Sequence, residues 1–169
     1  MKVQLRTDYQ APAVEQVREV LSYCPETGAL TWKQSRGKAT AGAPAGCADH
    51  RGYQVVGLLG KRHYAHRLAI LLATGEWPSA VVDHINGDRA DNRLCNLRVV
   101  PVLLNAQNRH VPAARSKTQL LGVRKFGKRY RSAIHFAGRQ VHLGTFDTPE
   151  QAYEAYLVAK RKNHEGCTL

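Results

Sequence analysis

The sequence predicts an α+β fold in two parts. Three observations predict it. Residues 1–108 mix helical spacing with short strand-like runs. Residues 109–118 lack any period and are rich in Arg, Lys, Ser and Pro, the composition of a linker. Residues 119–169 then offer alternating runs followed by one helix, which is enough for a small three-stranded sheet with a helix behind it.

The elements follow in order. Val14, Val17, Val20 and Leu21 recur at helical spacing within residues 12–23. PETG at 25–28 is a turn, and GALTWK after it is a short strand. Residues 35–51 are rich in Gly and Ala without a period and read as a loop. YQVVGLL and KRHYAH form a hairpin about Leu59 and Gly60, and RLAILLAT is a short apolar helix ending near Gly75. VVDHI is a strand, Asn86-Gly87 a turn, and Asn96 falls at the end of a second strand-like piece. Pro101 opens a helix, PVLLNAQNR, at the position where a missing N–H costs nothing. In the second part YRSAIHF and RQVHLGTF alternate about a turn at Ala137-Gly138. Thr148 caps the last helix, Pro149 starts it, Ala152, Ala155, Tyr156 and Ala159 form its packed face, and Gly166 ends it.

Charge bounds the function. Lys and Arg number 25 against 13 Asp and Glu, a net charge of +12. Residues 109–169 hold twelve basic and four acidic residues, so +8, and residues 1–108 hold thirteen and nine, so +4. A basic C-terminal part expects a polyanion, because each neutralised phosphate releases counterions. No window approaches 18 apolar residues, so no membrane span is expected. MKVQLRTDYQAPAVEQ has no apolar core and does not read as a secretory signal. Cys24, Cys47, Cys95 and Cys167 are separated by 23, 48 and 72 residues with no CxxC pair, as in a reduced intracellular protein. A cytoplasmic location is the expectation.

Against this basic background, VDHINGDRADNRLCNL at 82–97 gathers carboxylates and amides around one histidine. Taken singly, Asp and Asn beside Gly are ordinary turn formers. A calcium loop of the EF-hand type fails, since its spacing needs an oxygen ligand where Ile85 stands. Asp83 and His84 are adjacent on a strand and point to opposite faces. Asn105 lies 22 residues after Asp83, one turn into a helix. A strand folding back on that helix brings two hard oxygen donors together, a set that suits Mg²⁺. His84 is then near enough to take a proton from water, and the amide of Asn96 is placed to orient the imidazole. His66, between apolar residues in YAHRLA, reads as a core histidine with one satisfied nitrogen. His50, His63 and His110 read as phosphate contacts or surface residues.

Asp83-His84, then Asn96 thirteen residues after Asp83, then Asn105 nine further, resembles the HNH nuclease motif. DHINGDRADNRLCNLR, with YAHRLAILLATGEWP before it, is close to the form in phage and intron-encoded homing HNH endonucleases. The resemblance covers roughly residues 20–108, with the ββα-metal motif at about 81–108. It implies that Asp83 and Asn105 hold a divalent metal, most simply Mg²⁺ with Mn²⁺ as an alternative. It implies His84 as general base and Asn96 as the residue that positions it. The implied reaction hydrolyses DNA to 5′-phosphate and 3′-hydroxyl ends. One such site cuts one strand, so a double-strand break takes a dimer or two nicks. Val99-Val100-Pro101 departs from the family, whose members usually place Thr or Ser there as helix cap.

GVRKFGKRYRSAIHFAGRQVHLGTFDTPEQAYEAYLVAKRK resembles the AP2 domain, over roughly residues 119–165. Gly122-Val123-Arg124, Ala133-Ile134, Leu143-Gly144-Thr145-Phe146 and the helix face carry the likeness. It implies a three-stranded sheet in a DNA major groove with a helix packed behind. Alternation gives the reading face as Arg124, Arg129, Arg131, His135, Gln140 and His142, with Lys125, Lys128 and Arg139 on phosphates. Leu121, Ala133, His135 and His142 depart from the plant pattern, so no target sequence carries over. The expectation is a phage-encoded homing-type endonuclease acting on double-stranded DNA, a monomer or dimer with no protein partner inferred, working inside an infected bacterial host. A catalytically inactive DNA-binding regulator on the same framework is the alternative, and a packaging accessory a third. RNA is disfavoured, because RNA-binding sheets usually expose stacking aromatics.

Overall fold

A computed structural model describes residues 11–108, 112, 116–164 and 167. Helices and small sheets mix in it as an α+β chain does. Two compact units form. The first runs to His84 and takes in Asp88–Arg98, and the second takes in Ile85–Gly87 and continues from Val99. Most of the expected linker, with His110, lies outside the described residues.

The first unit opens with α1 (Val14–Val20). The expected helix through residue 23 stops early, because Leu21 turns extended (φ −123°, ψ 143°). Leu21 then starts β1 (Leu21–Tyr23), which pairs antiparallel with β2 (Leu30–Trp32), Leu21 opposite Trp32. Burying Leu21 and Trp32 in one core outweighs one more helical turn. The expected loop at 35–51 yields only the short β3 (Cys47–Ala48). β4 (Gln54–Leu58) and β5 (Lys61–Tyr64) form the predicted hairpin, and the sheet order is β3-β4-β5. Its turn places Leu59 and Gly60 at φ 50° and 75°, the pair of positive angles that matches strand twist.

The chain passes from β5 straight into α2 (Ala65–Thr74), so His66 is helical. Gly75 closes α2 at φ 86°, its N–H donating to the Leu71 carbonyl. Val17, Leu21, Leu30, Trp32, Val56, Leu58, Leu68 and Leu71 make the main core. The other side of α2, Ala69 and Ile70, packs on Val82 and Leu97. Val82 belongs to β6 (Val81–His84), and Leu97 begins β7 (Leu97–Val100). β6 and β7 form a two-stranded sheet. Asn96 is not at the end of that second strand, as its sequence suggested. It lies in a 3₁₀ turn, Leu94–Asn96, that precedes β7.

In the second unit α3 spans Val102–Gln107, with Pro101 just before it rather than inside it. The Pro101 carbonyl accepts from the Asn105 N–H at 3.2 Å, which puts Pro101 at the cap position. β8 (Val123–Phe126), β9 (Arg129–Phe136) and β10 (Arg139–Phe146) form an antiparallel sheet in the order β10-β9-β8. α4 (Pro149–Asn163) packs on it, with the Thr148 hydroxyl accepting from the Gln151 N–H at 3.3 Å. The helix ends at Asn163, short of Gly166, which lies outside the described residues. The Asn163 amide donates to the Ala159 carbonyl at 2.7 Å. Leu121, Ile134 and Tyr156 are the core of this unit.

Candidate active site and basic sheet

β6 delivers Asp83 and His84 side by side, and both are buried, at 8% and 4% exposure. β7 supplies the counter-charge. Arg98 donates to Asp83 Oδ2 from Nε at 3.0 Å and from Nη2 at 2.8 Å. Arg98 gives this buried carboxylate a counter-charge, and a buried carboxylate without such a partner costs several kcal/mol.

The acidic stretch between the strands is mostly a braced loop. Asp88 Oδ1 accepts from the Ala90 N–H at 2.9 Å. Asp91 takes Arg93 in two contacts, at 2.8 and 2.6 Å. Asn96 donates from Nδ2 to the Asp91 carbonyl at 2.8 Å. The amide oxygen set against His84 Nε2, at 3.2 Å, is that of Asn92. Asn92 thus meets the imidazole at Nε2, and Asn96, expected to orient it, donates to the Asp91 carbonyl. Two amides, Asn92 and Asn96, stand four residues apart in DNRLCN.

Rings pack behind His84. His66 meets it edge-on at 5.1 Å and 83°, and Tyr53 lies 6.0 Å away. Tyr64 stacks on His66 at 5.3 Å, and the Arg89 guanidinium sits 4.9 Å over Tyr53. His66 thus belongs to the wall of this site. Its Nδ1 is buried and has no hydrogen-bond partner. His63, expected near phosphate or at the surface, is buried against Trp77 at 5.8 Å. His50 is exposed.

Both histidines are held neutral. Burial pushes His84 below the usual imidazole value, opposed by the Asn92 contact and then by Asp83, Asp88 and Asp91. Burial pushes His66 down to about 3, with the His84 and Arg67 charges adding to it. The sign of the stability effect follows. Below 6.5 the unfolded chain protonates His66, while the folded chain resists down to about 3. Stability from this group is complete above 6.5 and falls as pH drops through that window, by up to about 1.4 kcal/mol per pH unit. His66→Phe is expected to flatten the fall in urea midpoint between about pH 6.5 and about pH 4. An unchanged slope would show that His66 accepts its proton in the folded state.

The chemistry of a metal site rests on oxygen. Among the described residues no group of three or more His, Cys, Asp or Glu is arranged to hold a metal ion. Asp83 is a carboxylate in the first unit, and Asn105 is an amide on α3 in the second. Each is by itself a hard oxygen donor of the kind Mg²⁺ takes.

The sheet of the second unit sorts its side chains by register. Arg131 stands opposite both Arg124 and Thr145, Ala133 opposite His142, and His135 opposite Gln140. One face therefore gathers Arg124, Arg131, His135, Gln140 and His142, all exposed. The opposite face carries Ser132 and Ile134, both buried. Lys125 and Arg139 share the parity of that buried face but are exposed. Lys128 lies in the β8–β9 turn. Arg129 is tied down, donating to the Thr145 carbonyl at 3.0 Å and pairing with Asp147 at 2.8 Å. A register shift between His142 and Gly144 sets Gly144 opposite Ser132, and Leu143 packs on the core side as its alternation places it. Phe126, which alternation did not single out, is half exposed with the Arg131 guanidinium 3.3 Å from its ring centre.

Residues 63–107 match a family model described as HNH endonuclease. That segment is well under half of the chain, and it contains His66, Asp83, His84, Asn92, Asn96, Arg98 and Asn105. No curated protein and no solved structure matches the chain. The match supports an HNH nuclease, a hydrolase acting on DNA, and nucleases of this kind generally use a divalent metal. Among the described residues no helix is long and apolar enough to cross a membrane.

Proposed function

We propose that this chain is a metal-dependent DNA endonuclease of the homing type, phage-encoded, with a C-terminal AP2-like sheet that docks it on double-stranded DNA. The observation that carries the nuclease part is His84, buried, neutral and fixed beside a buried carboxylate within the matched segment. Asp83 and Asn105 are the proposed ligands of Mg²⁺. A bound divalent metal supplies charge neutralisation at the scissile phosphate and at the departing 3′ oxygen.

The residues of the chain do the rest. His84 accepts a proton from the attacking water, so an O–H bond breaks and an N–H bond forms. The water oxygen bonds to phosphorus, the bond to the 3′ oxygen breaks, its electron pair leaves with that oxygen, and the oxygen takes a proton from solvent water. The ends are a 5′-phosphate and a 3′-hydroxyl. Arg98 pairs with Asp83, and Asn96 braces the loop through the Asp91 carbonyl.

The test is a nicking assay on supercoiled plasmid and phage DNA in Mg²⁺, in Mn²⁺ and in EDTA. Relaxation in metal that EDTA stops supports the proposal. No cutting together with a clear gel shift on the same DNA would favour an inactive regulator. For the sheet, Arg131→Ala is expected to weaken DNA binding and to lower the slope of log K against log salt by about one. An unchanged salt titration would count against this face.

A further inference from the structure

Asn92 is 2% exposed and is fixed from several directions. Its Nδ2 lies 3.2 Å from the Ala90 carbonyl, and its Oδ1 lies 3.2 Å from His84 Nε2. Its own carbonyl accepts from the Tyr23 hydroxyl at 2.8 Å. Gly28 presses on the same backbone, and a Cβ there would stand 2.5 Å from the Asn92 carbonyl carbon and the Arg93 nitrogen.

The polarity of this chain of contacts has one solution. The Ala90 carbonyl only accepts, so Asn92 must turn its NH₂ toward it. The amide oxygen is then what meets the imidazole. That oxygen also only accepts, so His84 Nε2 carries the hydrogen. In a neutral ring the lone pair is left on Nδ1. The edge of His66 meets the same ring at 83° and limits its rotation.

We infer that Asn92 is the positioning residue for His84, locking the imidazole as the Nε2–H tautomer and leaving Nδ1 as the atom that takes the proton. The catalytic consequence rests on the nuclease reading, whereas the tautomer is a property of the protein alone. The loop has other braces, at Asp88, Asp91 and Asn96, so the Asn92 side chain is not needed merely to close it.

The measurement is ¹⁵N–¹H spectroscopy of the full-length chain with labelled imidazoles, in EDTA at about pH 8, where an ordinary imidazole is neutral. A free imidazole mixes tautomers and exchanges its N–H with water quickly. Wild type is expected to show a protected Nε2–H on His84 and a hydrogen-free Nδ1. Asn92→Leu is expected to lose that protected proton and, in the nicking assay, to lower kcat about 10–100-fold with KM for DNA unchanged. Asn92→Asp keeps an acceptor at the ring and is expected to retain the signal and most of kcat. Tyr23→Phe loosens the same loop without touching His84 and is expected to keep the signal.

A wild-type spectrum with the hydrogen on Nδ1 would overturn the assignment, and so would a protected Nε2–H that survives in Asn92→Leu. Should Asn92→Leu fail to fold, the wild-type and Asn92→Asp spectra still decide. A signal that depends on Asn92 in a protein that cuts no DNA would sustain the positioning role and sink the nuclease reading instead.

Discussion

His84→Ala is expected to slow DNA cleavage by about 10²–10⁴-fold, the usual worth of a positioned general base. The physical reason is the protonation state. A base must be neutral to accept a proton, and burial holds this imidazole below its ordinary value even with three carboxylates pulling the other way. The activity is therefore expected to persist below pH 6.5 and to be lost as pH falls through the depressed folded value. DNA affinity in a gel shift is expected to stay at the wild-type level, because the exposed basic side chains assigned to phosphate and base contact lie on the sheet of the other unit. Single-turnover cleavage in Mg²⁺, with a gel shift on the same preparation, separates the two quantities. Cutting at the wild-type rate would remove His84 as the base. Loss of both cutting and binding would point to a misfolded β6 rather than to lost chemistry.

Local signals made much of the fold legible. Leu59-Gly60, Asn86-Gly87 and Ala137-Gly138 are turn pairs whose geometry is written in the residues themselves. Thr148-Pro149 marked the start of α4 for the same reason. Signals failed where a non-local partner decided. Leu21 has helical spacing, yet Trp32 draws it into a strand.

The site divides along the same line. Asp83 and His84 were readable because adjacency on a strand fixes where both lie. The residue that touches the imidazole was not readable, because it depends on how residues 88–96 coil. Arg98 escaped notice because its partner is fifteen positions away across the β6–β7 sheet. His66 reads as a core histidine, and it is buried. Only the fold shows that the ring it packs on is His84.

Gly122→Ala is expected to destabilise the second unit by about 2–4 kcal/mol, the sum of two costs. The first is conformational. Gly122 sits at φ 70°, a left-handed angle that costs an alanine about 1 kcal/mol or more. The second is steric. A Cβ there would lie 2.0 Å from Tyr156 Cδ2 and 2.4 Å from Cε2, so the ring must leave its place. Tyr156 packs with Leu121 and Ile134, and in so small a buried cluster that contact is a large share of the core. Gly138→Ala isolates the two costs. Gly138 has φ 75°, but nothing lies within 4 Å of the place its Cβ would take, so only the conformational cost applies. Urea unfolding of the two variants, with amide exchange followed in β8–β10 and α4, is the measurement. Gly122→Ala is expected to lose at least twice as much stability as Gly138→Ala. Equal losses would mean that Tyr156 yields freely and that its seat against Gly122 does not hold the helix on the sheet.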